Sequence, residues 1–306
     1  MGKLEKTQYI WKNGEFIEWD HAHVHVLTHA LHYGTAVFEG IRAYETPHGP
    51  ATFRVNEHYE RLIDSATIYG MPCPYTVETL IEANQTLLKK NNLTSAYIRP
   101  LLYYGYGEMG LNPANNPVDL IIAAWRWGTY LGDEGLEKGI RCKISSWARV
   151  DSHSLPPLAK CTANYANSVL AKQEALACGF DEAILLSTNG TIAEGPGENL
   201  FVIKNGQLIT PPCSDNALRG ITAQTVISLA ADMDIPVVQQ SLIRDELFLA
   251  DELFFTGTAA EITPIREIDG RIIRSQGRGA ITKRIQTAYF ETVRGALPDT
   301  HHWLTY

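Results

Sequence analysis

Cysteine is sparse and scattered. Cys73, Cys142, Cys161, Cys178 and Cys213 are the five in 306 residues, and no two form a CxxC pair. That pattern argues against a zinc site and a disulfide framework, and it fits a reducing compartment. Basic runs are missing as well: 26 Lys and Arg face 34 Asp and Glu, a formal charge of −8. Nucleic acid is therefore not an expected partner. No apolar run approaches the ~20 residues of a membrane helix. The opening MGKLEKTQYI has no apolar core of signal-peptide length. Gly2 does not make a myristoylation signal, because Lys6 stands where that motif wants Ser or Thr. Internal repeats and low-complexity segments are absent too. The expectation is a soluble, cytoplasmic protein with no membrane or nucleic-acid partner.

What is present is material for packed cores, with 45% hydrophobic residues. Asn-Gly or Asp-Gly pairs at 13–14, 189–190, 205–206 and 269–270 sit between β-rich runs and predict hairpins. Further strands are predicted at 96–104, 118–125, 140–147 and 252–256. Helices are predicted at 56–69, 76–91, 162–178, 222–233 and 279–294. The first places Tyr59, Leu62, Ile63, Ala66 and Tyr69 on one stripe, and Gly179 would cap the third. Strands in hairpins with few strict βαβ alternations favour a mixed α/β or α+β chain, with antiparallel or mixed sheets covered by helices. The irregular stretch GTYLGDEGLE marks the boundary. The division expected is a smaller α/β domain at 1–128, a linker at 129–137 and a larger domain at 138–306.

Two features suggest sites that the rest of the chain does not support. His21, His23 and His25 would share one face of a strand, near His29 and His32, but apart from Asp20 no carboxylate or cysteine stands at ligand spacing. No metal is expected. GYGEMG at 105–110 matches GxGxxG, yet LNPANNPVD follows it and cannot start a helix promptly. A flexible loop is the better reading.

The chemistry gathers elsewhere. In LAKCTANYANS (158–168) the one charge, Lys160, sits among small and apolar neighbours. Such a lysine is either a snorkelling side chain or a desolvated nucleophilic amine. EGPGEN (194–199) is a tight turn between apolar runs, carrying two carboxylates and an amide where a buried cation could be met. LRGIT (218–222) opens an amphipathic helix with glycine and threonine, which suits a phosphate, although a routine N-cap looks the same. GTAAE (257–261) repeats that design after a strand. An amine, a carboxylate and two amide-rich turns are the parts needed to hold pyridoxal phosphate.

FEGIRAY (38–44), NLTSAYIRPL (92–101), AKCTANY (159–165), EGPGENLF (194–201), LRGIT and FTGTAAEITP (255–264) occur in that order across nearly the whole chain. Together they resemble the branched-chain amino acid aminotransferases, class IV enzymes of the fold-type IV pyridoxal-phosphate group. The resemblance implies a two-domain fold with pyridoxal 5′-phosphate at the domain interface. It implies that Lys160 is the catalytic, Schiff-base lysine, that Glu194 binds the pyridine nitrogen, and that Tyr165 bonds the ring 3-oxygen. It further implies that Arg61, Gly220, Ile221, Thr222 and Thr258 hold the phosphate; nothing local singles out Arg61.

Substrate residues come from the same resemblance. Phe38, Tyr33, Trp127 and Tyr130 would be apolar or aromatic walls. Tyr97 and Arg99 would lie on one face of a strand by alternation, and Arg99 would meet the distal carboxylate of glutamate. Thr258 and Ala259 amides would take the α-carboxylate. The activity implied is ping-pong transfer between leucine, isoleucine or valine and 2-oxoglutarate. The loop 105–110 would reach the site of a second subunit, so a homo-oligomer, at least a dimer, is expected. The alternatives are a D-amino acid or (R)-amine transaminase, an aminodeoxychorismate lyase-like enzyme, and a silent cofactor-binding protein. AYIRP argues against the first, and the presence of both Lys160 and Glu194 argues against the last.

Overall fold

A computed structural model of the chain describes residues 4–128 and 132–306. In chain order the elements are β1 (Tyr9–Lys12), β2 (Glu15–Glu18), α1 (His29–Tyr33), β3 (Ala36–Phe38), β4 (Ile41–Thr46), β5 (Gly49–Phe53), α2 (Val55–Ile68) and α3 (Val77–Lys90). There follow β6 (Ala96–Tyr104), β7 (Val118–Trp125), α4 (Asp133–Lys138), β8 (Ile140–Ala148), α5 (Thr162–Ala177), β9 (Glu182–Leu186) and β10 (Ile192–Glu194). Next come β11 (Asn199–Lys204), β12 (Gln207–Thr210), α6 (Ile221–Asp232), β13 (Val237–Gln239), α7 (Arg244–Phe248) and β14 (Glu252–Gly257). The chain closes with β15 (Glu261–Ile268), β16 (Arg271–Ile272), α8 (Ala280–Val293) and β17 (Leu304–Thr305).

The chain forms two compact units. The first comprises Met1–Trp127, Ala159–Ala163 and Thr292–Tyr306, and the second Gly128–Leu158 and Asn164–Glu291. This differs from the contiguous segments expected from sequence, and long-range pairing is the reason. Cys161 bridges Val37 and lies in the first unit's core, while β17 pairs with β5 and the Arg54 N–H donates to the Trp303 carbonyl at 2.7 Å. The expected linker also takes in most of α4, which belongs to the second unit.

In the first unit the strands run in the order β17-β5-β4-β6-β7-β1-β2, with β3 on β6. All these pairings are antiparallel. Helix α2 buries Val55, Tyr59, Leu62 and Ala66 against a core that includes Ile41, Ile98, Leu102 and Leu120. Each large side chain so buried contributes roughly 1.5–3 kcal/mol. Thr76 caps α3 by accepting the Thr79 N–H, which satisfies one of the otherwise unpaired first-turn donors.

In the second unit the order is β10-β9-β8-β15-β14-β11-β12-β13, with β16 on β15. Here β8 runs parallel to both β9 and β15, and β12 parallel to β13, while the rest are antiparallel. The core is aliphatic and aromatic, with Ile144, Ile184, Leu200, Leu253 and Phe255 among its members. The four hairpin turns lie where the Asn-Gly and Asp-Gly pairs predict. Three of them put both turn residues at positive φ, as in Asn205 at 50° and Gly206 at 78°, which matches the twist of the strands they join.

Candidate functional site

In the first unit α2 presents a second stripe beside its apolar one. His58, Arg61 and Ser65 lie three, then four residues apart, and so share one helix face. Glu39, just past β3 and fully buried, grips two of them. Arg61 Nε donates to its Oε1 at 2.6 Å, Arg61 Nη2 to its Oε2 at 2.9 Å, and His58 Nδ1 lies 2.7 Å from Oε2. Burial alone would push the Glu39 carboxyl up, but the Arg61 and His58 charges and hydrogen bonds hold it well below the usual carboxylate range. Burial pushes the His58 imidazole down, with the Glu39 charge and hydrogen bond opposing it.

The third member of the stripe reaches the lysine segment. Ser65 Oγ accepts the Lys160 N–H at 3.0 Å, and the Lys160 carbonyl accepts the Phe38 N–H at 3.0 Å. The backbone of Lys160 is thereby fixed on both sides. Its ammonium stands 4.9 Å from the centre of the Phe38 ring, a cation–π distance. The side chain is half-buried.

An aromatic cluster surrounds Arg99 in the same unit. Its guanidinium lies 4.8 Å from the Phe38 ring centre and 5.3 Å from that of Tyr97, and Nη2 donates to the Tyr97 hydroxyl at 3.2 Å. Tyr97 and Arg99 share a face of β6, as alternation predicts. Tyr97 also packs on Trp125 and Trp127, with ring centres 5.4 and 5.0 Å away. Arg99 Nε and Trp127 Nε1 are buried donors with no acceptor among the described residues. Gly40 is required beside them, because a Cβ there would lie 2.0 Å from the Tyr97 hydroxyl oxygen. Tyr33 is placed differently: it is exposed, and its hydroxyl donates to the Met109 carbonyl at 3.0 Å. Tyr130 lies outside the described residues.

The second unit carries the acid. Glu194 ends β10 and is buried. Arg149 Nε lies 2.8 Å from its Oε1, an ion pair by distance whose N–H is not aligned as a hydrogen bond. Oε2 accepts the Leu218 N–H at 2.9 Å and the Asn199 amide at 3.3 Å. Asn199 also donates to the Leu218 carbonyl at 2.9 Å. The turn bearing Glu194 is thus tied to the segment that leads into α6. That approach leaves no room at Gly220, where a Cβ would lie 1.8 Å from Asn199 Oδ1. Gly220 is the N-cap of α6, and Ile221 and Thr222, both buried, form its first turn. First-turn N–H groups and the helix dipole favour an anion at such a terminus. Thr258 and Ala259 follow β14 in a half-buried turn, and Thr256 beside them keeps a buried hydroxyl without a partner among the described residues. Tyr165 lies half-buried on α5.

Several of these residues were not singled out from sequence. EGPGEN predicted a carboxylate beside some buried cation, but Arg149 itself gave no signal. Glu39 lay inside FEGIRAY, and the helical spacing of His58, Arg61 and Ser65 was visible beside the apolar stripe. The histidine-rich segment does other work. The His29 ring nitrogens lie 2.8 Å from Thr35 Oγ1 and 2.9 Å from the Gly110 carbonyl, and His25 packs on Tyr106. Among the described residues no three His, Cys, Asp or Glu side chains converge as metal ligands. Residues 105–110 form a loop that runs on to β7 without a helix.

One unit thus holds an amine and an arginine gripped by a carboxylate fork, and the other a buried acid beside a helix N-terminus. The same sequence has counterparts among known proteins. The model of the family described as amino-transferase class IV matches residues 36–268, and the chain belongs to that family. It is 50% identical over 301 residues to the branched-chain-amino-acid aminotransferase of Escherichia coli (strain K12), covering 98% of this chain and 97% of that protein. The crystal structure of the Escherichia coli branched-chain amino acid aminotransferase matches with a TM-score of 0.97 at 50% identity, over 98% of this chain and 99% of that one. A T.th. branched-chain amino acid aminotransferase complexed with N-(5′-phosphopyridoxyl)-L-glutamate matches with a TM-score of 0.94 at 45% identity, over 98% and 99%.

Proposed function

We propose that the chain transfers the amino group of leucine, isoleucine or valine to 2-oxoglutarate, giving the branched 2-oxo acids and L-glutamate. The cycle is ping-pong and uses pyridoxal 5′-phosphate. The observation that carries this reading is the 50% identity to a branched-chain-amino-acid aminotransferase over almost the full length of both chains. The relative bound to a phosphopyridoxyl-glutamate adduct supports both the cofactor and glutamate as its partner.

The residues present suit that cofactor. Arg61 and Lys160 offer a guanidinium and an amine, and Glu194 offers a buried carboxylate. Gly220, Ile221, Thr222 and Thr258 offer amides and hydroxyls around a helix N-terminus, and Tyr165 a phenol. When bound, pyridoxal phosphate supplies a carbonyl that condenses with amines and a ring that accepts the electron pair left by the breaking Cα–H bond. Lys160 Nζ takes the α-proton of the amino acid and, in the second half of the cycle, delivers a proton to Cα of the new one. Glu194, its charge balanced by Arg149, holds a proton at the ring nitrogen. Arg61, aimed by the Glu39 fork, binds the phosphate.

Phe38, Tyr97 and Trp127 face the aliphatic side chain and exclude water. Arg99, with a donor unused among the described residues, takes the distal carboxylate of glutamate, and the Thr258 and Ala259 amides take the α-carboxylate. The working unit is a homo-oligomer, at least a dimer; exposed Val26, Leu31, Tyr106 and Leu111 in the first unit give apolar surface for a second copy. A cytoplasmic location fits the scattered cysteines, and no helix among the described residues is long and apolar enough to cross a membrane.

The test is a transamination assay with each branched-chain amino acid and 2-oxoglutarate, run beside Lys160→Ala. Turnover by the wild type and a loss of at least roughly a thousand-fold in the variant are expected. Turnover with D-alanine in place of leucine would move the enzyme to the D-amino acid class.

A further inference from the structure

Glu182, Glu194 and Glu198 are three of the five glutamates buried in the second unit, beside Glu252 and Glu261. Two cations serve these three. Lys172 lies 2.6 Å from Glu182 and Arg149 lies 2.8 Å from Glu194. Glu182 also accepts the Ala183 N–H at 3.0 Å. Glu198 has no ion pair among the described residues. A buried carboxylate without a cation is costly, and the group takes a proton instead.

The place of Glu198 makes that proton consequential. Its Oε2 accepts the Gly197 N–H at 2.9 Å, and its backbone carbonyl accepts the Gly195 N–H at 2.7 Å. The carboxyl fills the inside of the turn so tightly that a Cβ on Gly195 would lie 2.7 Å from Oε2 and 3.0 Å from the Phe255 ring. A Cβ on Gly257 would lie 3.1 Å from the Gly197 carbonyl and 3.6 Å from Glu198 Cγ. The same side chain therefore backs the turn that starts at Glu194 and the one that leads to Thr258.

We propose that Glu198 is a positioning residue for the reaction, acting as a neutral acid that fixes the 194–199 turn and, through it, the Glu194 carboxylate and the turn after Gly257. The inference rests on the role proposed above for Glu194. Burial, then the charge of Glu182, push the Glu198 acid up to about 8, with Glu194 adding to the rise and the Gly197 N–H and Lys172 opposing it. The other titratable group acting with it is Cys142 on β8, itself pushed well up by burial. Exposed Asp181 adds negative charge beside Glu182. Ionisation of Glu198 would put an uncompensated charge inside the turn and loosen it.

The sign of the stability effect follows from the raised value. Below about 4.5 both folded and unfolded chains hold the proton; between there and about 8 only the folded chain does, so stability falls with rising pH across that window and levels off above it. Glu198→Gln keeps the shape without the titration, and Glu198→Ala removes both. Holoenzyme of all three is followed for thermal unfolding and for cofactor release on dilution, from a unit below to a unit above the Glu198 value. Wild-type release is expected to speed roughly ten-fold across that range, with Glu198→Gln slow throughout and Glu198→Ala fast throughout. The midpoint of Glu198→Gln should gain on that of the wild type up to about 8 and then run parallel to it. Glu198→Gln behaving like Glu198→Ala, or keeping the wild-type pH profile, overturns the proposal while the leucine assay still stands. Failure of that assay in the wild type would instead remove the functional reading.

Discussion

Arg99 has a donor that its own strand does not use. Nη2 is committed to Tyr97, while Nε is buried without an acceptor among the described residues. A buried guanidinium N–H left unmet costs on the order of 1–3 kcal/mol, and a carboxylate that meets it recovers that and more. Arg99→Met should therefore raise KM for 2-oxoglutarate roughly 10- to 100-fold while leaving KM for leucine within about three-fold. Steady-state kinetics with each substrate varied in turn checks this, and equal losses for both would assign Arg99 a structural role. At this scale the sequence was legible where chemistry and neighbours clashed: a lysine among small apolar residues, an acid on a Gly-Pro-Gly turn. Arg61 was not legible locally, since its partner Glu39 lies 22 positions away and meets it only when β3 packs beside α2.

Elements with strong local signals were read well. Strands β6 and β7 and the four hairpins follow from β-branched and aromatic runs and from turn residues that accept positive φ. The five longer helices fall within a residue or so of their expected ends. The five-residue α1 and the strands β3, β4 and β5 escaped. A single helical turn has almost no periodicity, and β4 is buried at five of six positions, so it shows no alternation. The glycine before α6 makes a sharp prediction for this scale. Gly220 has an ordinary φ of −72°, so backbone strain is not the issue; space is. Asn199 is held by both Glu194 and Leu218 and cannot swing aside without releasing them. Gly220→Ala should destabilise the protein by roughly 1–3 kcal/mol, read from denaturant midpoints at unchanged m-value. An alanine variant as stable as the wild type would show that the Asn199 link is loose.

At the scale of the molecule, composition excluded more than it specified. The scattered cysteines, net acidity and lack of long apolar runs argued against a disulfide framework, a nucleic-acid partner and a membrane helix, and ordered motifs then pointed to a family. How the chain divides was not legible. Residues 159–163 join the first unit through backbone hydrogen bonds and a bridge to partners roughly a hundred positions away or more, and 292–306 join it through β17. Such pairings leave no trace in local pattern, because they depend on which edges meet after the elements form.

In the amino transfer proposed above, Lys160 and Glu194 serve one cofactor in two stages. The most direct test is the absorption spectrum of the purified protein before and after L-leucine, then after 2-oxoglutarate, with Lys160→Ala alongside. A bound-cofactor band that fades with leucine and returns with 2-oxoglutarate, and that is altered and unresponsive on this timescale in the variant, is the predicted result. A protein that stays colourless after incubation with pyridoxal phosphate would contradict the account.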